Sequence, residues 1–432
     1  MLNMNTKLLK READGKPIRA GIVGAGQMGR GMVSQMVLMK GITPAIVSAV
    51  HIENVIGAFR YAGVADDDIA VANTLEEANR HMEAGKYIAC ENAELVSGAN
   101  LVDCVVDCTG IPDVGAHVAT RSIQNGKHIV MLNVETDVVI GPYLKKLAED
   151  NGVIYTGSAG DEPGAVMELY CFARAMGMNV EVIGKGKNNK LDKGCNPDTV
   201  REEAMQRLMS PKMLCAFKDG TKTMVELAAM SNATGFVPDV MGGHGAVSDV
   251  DGLNGLFRLK ADGGILSRHG VVDFVQGVAP GVFAIVSSDN PEITYQMDYL
   301  LMGPGPLWTL FRPYHLCSLE TPLSVARCVI DGEHTIVPKG GLVSECIAVA
   351  KKDLGAGEML DGIGGFTAYG SVVTKEESDA KGYVPFGLIT EGTKMRKNAK
   401  KGQLLTFDMI EPDTGTLIYK LRQKQDGMDF DK

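Results

Sequence analysis

A glycine-rich turn near the amino terminus is the feature that most constrains the fold of this chain. A short apolar run, Ala20–Val23, leads directly into a G-x-G-x-x-G sequence, and a helical pattern follows. Such a turn between strand and helix is typical of a dinucleotide-binding α/β sheet, because free N–H groups at the helix start favour a pyrophosphate. The first glycine makes the tight turn, the second admits the pyrophosphate, and the third lets helix and strand pack closely. An ordinary strand–turn–helix is the alternative. The predicted cofactor-binding residues of the loop are Gly24, Gly26, Gln27, Met28 and Gly29.

The end of the second predicted strand, Ala45–Val50, bears on which dinucleotide binds. An acid that would bind a ribose 2′-hydroxyl is expected there, about 20 residues after the glycines. The chain instead continues with His51 and Ile52, and Glu53 comes slightly late. The absence of an acid at the strand end favours NADP over NAD, because a carboxylate would repel the 2′-phosphate. His51 is a candidate for facing that phosphate, and a solvated turn histidine is an equal alternative.

Three further apolar runs are predicted to be buried parallel strands, whereas residues 56–96 are predicted to form a mostly helical insertion. In a doubly wound sheet ligands gather at the carboxyl ends of strands, and each of these runs ends in small or polar residues. The runs are Val102–Val106, His128–Leu132 and Val153–Tyr155. The residues that follow them and are predicted to lie near the cofactor are Thr109, Gly110, Asn133 and Glu135.

Length and composition limit the classes of protein to which the chain can belong. At 432 residues it is expected to form two or three domains, and its net charge of −10 argues against nucleic-acid or anionic-membrane partners. The nine cysteines are scattered and form no CxxC pair, which favours core thiols in a reducing cytoplasm. The sequence shows neither a signal-peptide h-region nor an apolar run long enough to span a membrane.

The predicted fold class is α/β, with a Rossmann-type doubly wound parallel sheet, an inserted α+β domain for catalysis and dimerisation, and a small β-rich domain. The predicted boundaries are residues 1–162, 163–336 and 337–432. In the second domain the pattern predicts a helix over Ala165–Met176 and a strand over Asn179–Ile183, and a helix over Ser318–Ile330 is a candidate for packing back on the first domain. The polar tail from Arg422 is predicted to fray.

Two segments of the predicted second domain contain charged residues that could bind an anion or polarise a carbonyl group. Lys185 and Lys187 lie in a glycine-containing basic segment after a strand, where lysines and N–H groups can cradle an anion. A solvated basic loop is the equal alternative. Glu226 lies on an apolar helix over Thr221–Met230 and needs a partner or a task, because a buried carboxylate is costly. We expect a polar cavity that holds both Glu226 and Lys222, four residues earlier.

Two further groups of residues are candidates for catalysis. Arg312 offers a fork for a carboxylate or phosphate, and His315 could shuttle a proton. Glu320 is either a third member of that group or a first-turn acid favoured by the helix dipole. Asp161 and Glu162 follow a strand end, where a metal site, a general base or a simple helix entry are the alternatives.

Several longer segments resemble a known group of enzymes. The segments NVETDVVIGPYLKKLAEDNGVIYTGSAGDEPG, GKGKNN, DGTKTMVELAAMSNATG and RPYHLCSLETPLSVA make the chain similar to homoserine-dehydrogenase-like oxidoreductases with a carboxyl-terminal SAF module. AKKDLGAGEML and AKKGQLLTFDMI carry the resemblance to the SAF module. The nearest subgroup is the deoxyxylulose-phosphate reductoisomerase-like (DRL) enzymes. No match to the paired aspartates and lysine of true homoserine dehydrogenases is found near residues 239–260.

The resemblance implies conversion of 1-deoxy-D-xylulose 5-phosphate to 2-C-methyl-D-erythritol 4-phosphate with NADPH, a step in isoprenoid precursor synthesis. Such a reaction needs an anion site, a polarising cation and a base. The lysines and Arg312 could serve the first two needs, whereas Asp161, Glu162 and Glu226 could act as base or bind Mg²⁺ or Mn²⁺. The alternatives are a dehydrogenase of another hydroxy acid, polyol or sugar-derived substrate, and a non-catalytic nucleotide sensor. The expected partners are a phosphorylated small molecule and, as the default for soluble oligomers, a second copy of the chain.

Overall fold

A computed structural model describes residues 3–430, and the chain divides into two compact units. The first unit comprises residues 3–161, 316–337 and 415–428, and the second comprises residues 162–315, 338–414 and 429–430. The predicted division into three domains at residues 162 and 336 stays a prediction.

Residues 3–161 alternate between strands and helices. The strands are β1 (Ile18–Val23), β2 (Ile42–Ser48), β3 (Ile69–Val71), β4 (Tyr87–Cys90), β5 (Cys104–Asp107), β6 (His128–Met131) and β7 (Tyr155–Gly157). The helices are α1 (Met4–Ala13), α2 (Gln27–Leu38), α3 (Ile52–Tyr61), α4 (Leu75–Glu83), α5 (Ala93–Gly98), α6 (Pro112–Gln124) and α7 (Val134–Asp150).

The elements of residues 162–430 follow a less regular order. The helices are α8 (Glu162–Ala175), α9 (Arg201–Gln206), α10 (Pro211–Lys218), α11 (Thr221–Thr234), α12 (Leu253–Leu256), α13 (Pro291–Tyr299), α14 (Thr321–Asp331), α15 (Lys375–Lys381) and α16 (Leu417–Asp426). The strands are β8 (Asn179–Gly186), β9 (Val271–Val275), β10 (Val282–Ser287), β11 (Leu307–Arg312), β12 (Ser344–Ala350), β13 (Ala368–Thr374), β14 (Lys394–Met395) and β15 (Ile410–Glu411).

The first unit is built on a seven-stranded parallel sheet with the order β3-β4-β2-β1-β5-β6-β7. Its central strands are apolar and buried, as expected for a sheet with helices on both faces. The predicted Rossmann-type doubly wound fold is therefore confirmed. Because the order reverses beside β1, the glycine-rich turn that follows β1 lies at the topological switch point, where such sheets bind ligands.

Two details of this sheet differ from the sequence prediction. Residues 56–96 contain more helix than strand, as predicted, but they are not an insertion, because β3 and β4 extend the sheet beyond β2, with Ile46 paired to Ile88. The four-residue run of β4 is too short for periodicity to distinguish it from a buried helical turn. The second core strand is Ile42–Ser48 rather than Ala45–Val50, since the chain leaves the sheet before His51.

The polar carboxyl-terminal segment is ordered rather than frayed. Helix α16 extends to Asp426, and both Arg422 and Gln425 are buried. Helix α7 contains Pro142, and beside it the N–H of Tyr143 donates to Oε1 of Gln425 at 2.9 Å. Nε2 of Gln425 in turn donates to the Val139 carbonyl at 2.9 Å. The glutamine amide thus inserts into the hydrogen-bond ladder of α7, which a polar composition alone does not reveal.

The second unit contains a four-stranded sheet with the order β11-β10-β8-β9, in which β8 is central. The observed β8 extends to Gly186, so Lys185 lies within the strand rather than in the basic loop that the sequence predicted. The reason is that β9 pairs with β8 as far as Gly186, and β10 pairs with it as far as Lys185. Side chains of neighbouring strand residues point to opposite faces, so this register fixes where Lys185 points.

Residues 338–414 pack on helix α11 within the second unit. The N–H of Gly370 donates to Oγ1 of Thr221 at 2.8 Å, and the N–H groups of Val343 and Ser344 donate to Oδ1 of Asn232 at 2.7 and 3.0 Å. Both ends of α11 are thereby held by β12, β13 and the residue before β12. The likeness of this segment to a SAF module stays a prediction. Within residues 3–430, no helix combines the length and apolar composition needed to cross a membrane.

Candidate functional site

The glycine-rich turn of the first unit has the geometry that a dinucleotide requires. Gly24 has a φ of +109°, and its N–H donates to the Ser48 carbonyl at 2.8 Å. A Cβ on Gly29 would lie 1.8 Å from the Gly24 carbonyl oxygen, so only glycine allows α2 to pack there. A Cβ on Gly26 would meet no protein atom within 4 Å, and no side chain caps α2. These features fit a pyrophosphate held by backbone N–H groups.

The thiol beside this turn is structural. Sγ of Cys108 lies 3.1 Å from the carbonyl oxygens of both Val23 and Gly24, which ties the end of β5 to the turn. Burial raises the pKa of Cys108, and the neighbouring Asp107 adds to the effect, so the group stays a neutral thiol. Gln27 and Gly26 are exposed and Met28 is half-buried.

Asp107 is a buried carboxylate that sequence reasoning did not select, and it organises the ends of β5 and β6. Its Oδ1 accepts hydrogen bonds from the N–H and hydroxyl of Thr109 at 3.0 and 2.8 Å, and its Oδ2 accepts one from Asn133 at 2.9 Å. Burial raises the pKa of Asp107 to about 6 against the lowering effect of these hydrogen bonds. The side chains of Thr109 and Asn133 therefore bind Asp107 and shape the loops at the switch point.

The remaining predicted cofactor residues lie in the same unit. Gly110 is half-buried and has a φ of +66°, whereas Glu135 is buried in the first turn of α7. His51 is exposed immediately before α3, and Glu53 is exposed within the first turn of that helix. Their roles in cofactor binding stay predictions.

In the second unit, Lys185 lies between two carboxylates. Its Nζ donates to Oε1 of Glu162 at 2.5 Å and to Oε2 of Glu226, and all three side chains are at most 5% exposed. Strand β8 supplies the lysine, and α8 and α11 each supply one carboxylate. The partner that Glu226 needs is thus a lysine from a distant part of the sequence. We call Glu162, Lys185 and Glu226 the lysine–carboxylate cluster.

Electrostatic interactions keep Glu162 and Lys185 charged. Burial alone would raise the pKa of Glu162, but the charges of Lys185 and His315 outweigh it and lower that pKa to about 2. Burial would likewise lower the pKa of Lys185, but Glu162 and Glu226 outweigh it and raise the pKa above its ordinary value. Lys185 is consequently a permanent cation in a site of low dielectric, where its field is strong.

His315 extends the cluster towards the surface. Its Nε2 lies 3.3 Å from Oε1 of Glu162 and 3.5 Å from Nδ2 of the exposed Asn188. The predicted proton shuttle is therefore beside a carboxylate of the cluster. Arg312, on β11, stacks over the ring of Tyr314 with 4.6 Å between the guanidinium carbon and the ring centroid, and its Nε lies 3.7 Å from Oε2 of Glu168.

Lys187, just beyond β8, differs from Lys185 in its surroundings. It is 9% exposed, and its Nζ donates to the Phe217 carbonyl at 2.7 Å. Burial, followed by the positive charge of Lys185, lowers the pKa of Lys187 to about 8. The two lysines of the predicted basic loop are therefore one permanent cation and one amine that titrates near neutrality.

Three further residues that the sequence predicted are placed as follows. Lys222 is half-buried in the first turn of α11, one turn before Glu226. Asp161 is buried and is the last residue of the first of the three segments that form the first unit. Glu320 also belongs to the first unit, and its Oε1 accepts a hydrogen bond from the Leu316 N–H at 2.8 Å, which closes the turn before α14.

A second buried lysine, Lys351, was missed by sequence reasoning. Its Nζ donates to Oδ2 of Asp219 and to the Gly365 carbonyl, both at 2.8 Å. Oδ1 of Asp219 accepts a hydrogen bond from the Thr221 N–H at 2.9 Å, at the start of α11. The sequence carries no signal for this pair, because 132 residues separate its members.

Comparison with known proteins identifies the class of the second unit. Residues 160–321 match the family model described as "Oxidoreductase DRL, catalytic domain", and this segment contains every residue of the lysine–carboxylate cluster together with Lys187 and His315. The match covers less than half of the chain. No curated protein matches the sequence.

Solved structures of dehydrogenases show a distant likeness. Scyllo-inositol dehydrogenase from Lactobacillus casei, with bound NAD(H) and scyllo-inositol, is 11% identical, with 69% of this chain and 76% of that one covered and a TM-score of 0.38. KijD10, a 3-ketoreductase from Actinomadura kijaniata in complex with TDP-benzene and NADP, is 10% identical, with 74% and 91% covered and a TM-score of 0.35. The family match and the dinucleotide turn establish that the protein is an NAD(P)-dependent oxidoreductase.

Proposed function

We propose that the protein is an NADPH-dependent reductoisomerase that converts 1-deoxy-D-xylulose 5-phosphate into 2-C-methyl-D-erythritol 4-phosphate. The observation that carries this proposal is the lysine–carboxylate cluster, with His315 beside it, inside the segment that matches the DRL catalytic domain. The reaction rearranges a hydroxyketone skeleton and then reduces an aldehyde. It therefore needs a fixed cation, acceptors for hydroxyl protons and a proton relay.

The cluster can supply each of these functions. Lys185 is a fixed cation that can polarise a carbonyl oxygen and stabilise the negative charge that develops on it. Glu162 and Glu226 can accept hydrogen bonds from substrate hydroxyls, and Glu162 can pass a proton to His315 over the 3.3 Å between them. His315 then exchanges that proton with solvent beside the exposed Asn188.

The cofactor proposed for the first unit is NADP, which supplies the hydride when it is bound. The residues fit the pyrophosphate because Gly26 leaves its backbone open and Gly29 admits the helix. The choice of NADP rests on the absence of an acid between Ser48, the last residue of β2, and Ile52, the first residue of α3, a segment that contains the exposed His51. Replacing His51 with Asp should lower the ratio of NADPH to NADH affinity by about 10-fold, because the carboxylate repels a 2′-phosphate. An unchanged ratio would remove His51 from the site.

A divalent cation is a separate proposal. Mg²⁺ or Mn²⁺ bound by Glu162 and Glu226 would compete with Lys185 for the same oxygens. The lysine is therefore the cation that the proposed mechanism uses. Turnover that persists after exhaustive treatment with EDTA would support this assignment.

A dehydrogenase of an uncharged polyol or sugar-derived substrate is the second candidate. It is favoured by the charge of the site, because the two carboxylates more than compensate Lys185 and would repel a nearby phosphate. In the first candidate the phosphate must instead bind Lys187, Lys222 or Arg312.

Product analysis separates the two candidates. The protein is incubated with NADPH and ¹³C-labelled 1-deoxy-D-xylulose 5-phosphate, and the carbon skeleton of the product is followed by NMR. A branched skeleton supports the reductoisomerase. An unbranched reduced product supports the simple dehydrogenase, and the matched variant Lys185→Met should abolish either product.

A further inference from the structure

Two buried cysteines of the second unit lie against each other. Sγ of Cys195 lies 3.5 Å from Sγ of Cys215, although 20 positions separate the two residues in the sequence. Each sulfur also contacts the backbone of the other residue. Sγ of Cys215 lies 3.3 Å from the Cys195 carbonyl oxygen, and Sγ of Cys195 lies 3.6 Å from the Cys215 carbonyl oxygen. A disulfide needs an Sγ–Sγ distance of about 2 Å, so an approach of about 1.5 Å joins the pair.

A buried cation contacts this pair. Nζ of Lys351 donates to Sγ of Cys215 at 3.4 Å, and its ion pair with Asp219 holds it there. A thiol that only fills space in an apolar core has no such neighbour. The hydrogen bond with Cys215 lowers the pKa of Cys195 against the effect of burial, and the charge of Lys351 also lowers it. The same hydrogen bond raises the pKa of Cys215. Cys195 is therefore the thiol that ionises more readily, and the thiolate is the form that reacts with oxidants.

Cys195 belongs to a loop, whereas Cys215 lies within α10. Residues 187–200, all of which the structure describes, form neither helix nor strand, and Lys193 and Gly194, immediately before Cys195, are exposed. Loops of this kind open locally without unfolding of the whole protein. Such an opening admits a small oxidant to Cys195 first, which agrees with the lower pKa of that thiol.

We propose that Cys195 and Cys215 are a site of reversible oxidation, at which a peroxide converts the two thiols into a disulfide. The Cys195 thiolate attacks one oxygen of hydrogen peroxide, the O–O bond breaks, and the released hydroxide takes up the thiol proton to give water. Sγ of Cys215 then attacks the sulfur of the Cys195 sulfenic acid, and the sulfenic oxygen leaves as a second water with the proton of Cys215. The two thiols lose two electrons, which reduce the peroxide to two waters. A dithiol reductant reverses the reaction.

The disulfide fastens the loop to α10. This loop begins with Lys187 and Asn188 at the candidate site, where Nδ2 of Asn188 lies 3.5 Å from Nε2 of His315. Any opening that separates the two cysteines is forbidden once a covalent bond joins them. Oxidation therefore holds this edge of the candidate site closed, and reduction releases it. The effect requires no particular substrate.

Peptide mapping on the full-length protein tests the disulfide. The reduced protein is treated with hydrogen peroxide in slight molar excess, the remaining thiols are blocked with N-ethylmaleimide in denaturant, and the digest is analysed by mass spectrometry. We expect a linked pair of peptides that contain Cys195 and Cys215, and dithiothreitol should separate them. Oxidation of the exposed Cys171 without a linked pair would overturn the proposal.

Two variants assign the roles of the cysteines. Cys215→Ser removes the thiol that resolves the sulfenic acid, so dimedone should label Cys195 at least about fivefold more than in the unaltered protein. Cys171→Ser is the matched control and should form the linked pair as the unaltered protein does. Unchanged dimedone labelling of Cys195 would contradict the assigned order of the two thiols. The mapping on the unaltered protein decides the proposal even when Cys215→Ser does not fold.

Hydrogen–deuterium exchange tests the effect on the loop. In the oxidised protein the backbone N–H groups of residues 187–200 should exchange at least about 10-fold more slowly than in the reduced protein, since the disulfide blocks local opening. Helix α13 (Pro291–Tyr299) is the internal control and should exchange at the same rate in both forms. Equal exchange of the loop in both forms would refute the effect on the candidate site and leave the disulfide standing.

Discussion

Nζ of Lys185 lies 2.5 Å from Oε1 of Glu162, and both side chains are 5% exposed. A buried ion pair of this kind is weak evidence for stability, because desolvation of both charges offsets most of their attraction. The pair is better explained by catalysis. It fixes the positive charge of Lys185 in a buried site of low dielectric, where a cation strongly stabilises a developing oxyanion.

Removal of the fixed cation should abolish most of the chemistry. Lys185→Met leaves Glu162 and Glu226 without their shared cation, so we expect kcat to fall by about 10²–10⁴-fold. The measurement is steady-state NADPH oxidation. Lys190→Met, at an exposed position on the same segment, should retain full activity. A kcat for Lys185→Met within about threefold of the unaltered protein would contradict the assigned role.

The glycine turn offers a matched pair of variants for cofactor binding. Gly26→Ala adds a Cβ that meets no protein atom, so the thermal midpoint should stay unchanged while the NADPH Kd rises by about 10-fold or more. Gly29→Ala places a Cβ 1.8 Å from the Gly24 carbonyl oxygen, so it should lower both stability and affinity. Fluorescence titration and thermal unfolding measure the two effects. Unchanged affinity in Gly26→Ala would place the pyrophosphate elsewhere.

Asp107 should make stability depend on pH in a defined direction. Its pKa is raised from an ordinary 3.8 to about 6 by burial, so the folded protein holds the proton over that interval more tightly than the unfolded chain. Asp107 therefore makes its whole contribution to the free energy of unfolding below pH 3.8. That contribution decreases as the pH rises and is lost above about pH 6. The loss should reach about 3 kcal/mol, since one pKa unit corresponds to about 1.4 kcal/mol.

Urea unfolding of the unaltered protein and of Asp107→Asn, at a series of pH values, isolates this contribution. The stability difference between the two proteins should change across the interval and become flat above it. A difference that does not vary with pH would show that Asp107 has the same pKa in both states.

Gln425 should contribute measurably to the stability of the first unit. Gln425→Ala removes the amide that accepts a hydrogen bond from the Tyr143 N–H and donates one to the Val139 carbonyl in α7. These two backbone groups then lose their hydrogen bonds to the side chain. We expect a loss of about 1–3 kcal/mol in denaturant unfolding. Gln423→Ala, at an exposed position of the same helix, should cost less than about 0.5 kcal/mol. An equal loss of stability in Gln425→Ala and Gln423→Ala would show that the loss comes from a change in helix propensity and not from the amide inserted into α7.

The sequence predicted the parts of the fold that local patterns specify. The turn around Gly24 and Gly29 combines a strand, three glycines and a helix within one short segment, and this segment determines the type of sheet. The short strand Tyr87–Cys90 was not predicted, because a run of four apolar residues is too short to show the two-residue period of a strand. The order of helix α16 was not predicted for a different reason. Its polar sequence is typical of a solvated segment, and only the hydrogen bonds of Gln425 to α7 explain why it is buried.

The sequence predicted which residues belong to the candidate site but not which of them form ion pairs with one another. Glu226 was selected because a carboxylate on an apolar helix is costly, yet its partner Lys185 is 41 positions away and was assigned to an anion-binding loop. Pairing at that separation depends on the register of β8 between β9 and β10, which no local pattern encodes. Lys187 was selected together with Lys185, but the different protonation of the two lysines depends on which one contacts the acids.

The most direct test of the account is NADPH oxidation by the purified protein with 1-deoxy-D-xylulose 5-phosphate, with NADH as the control. The account predicts turnover with NADPH that is weaker with NADH and absent in Lys185→Met. Tight binding of NADPH without turnover would contradict the proposed reaction and would leave an NAD(P)-dependent oxidoreductase that acts on a different substrate.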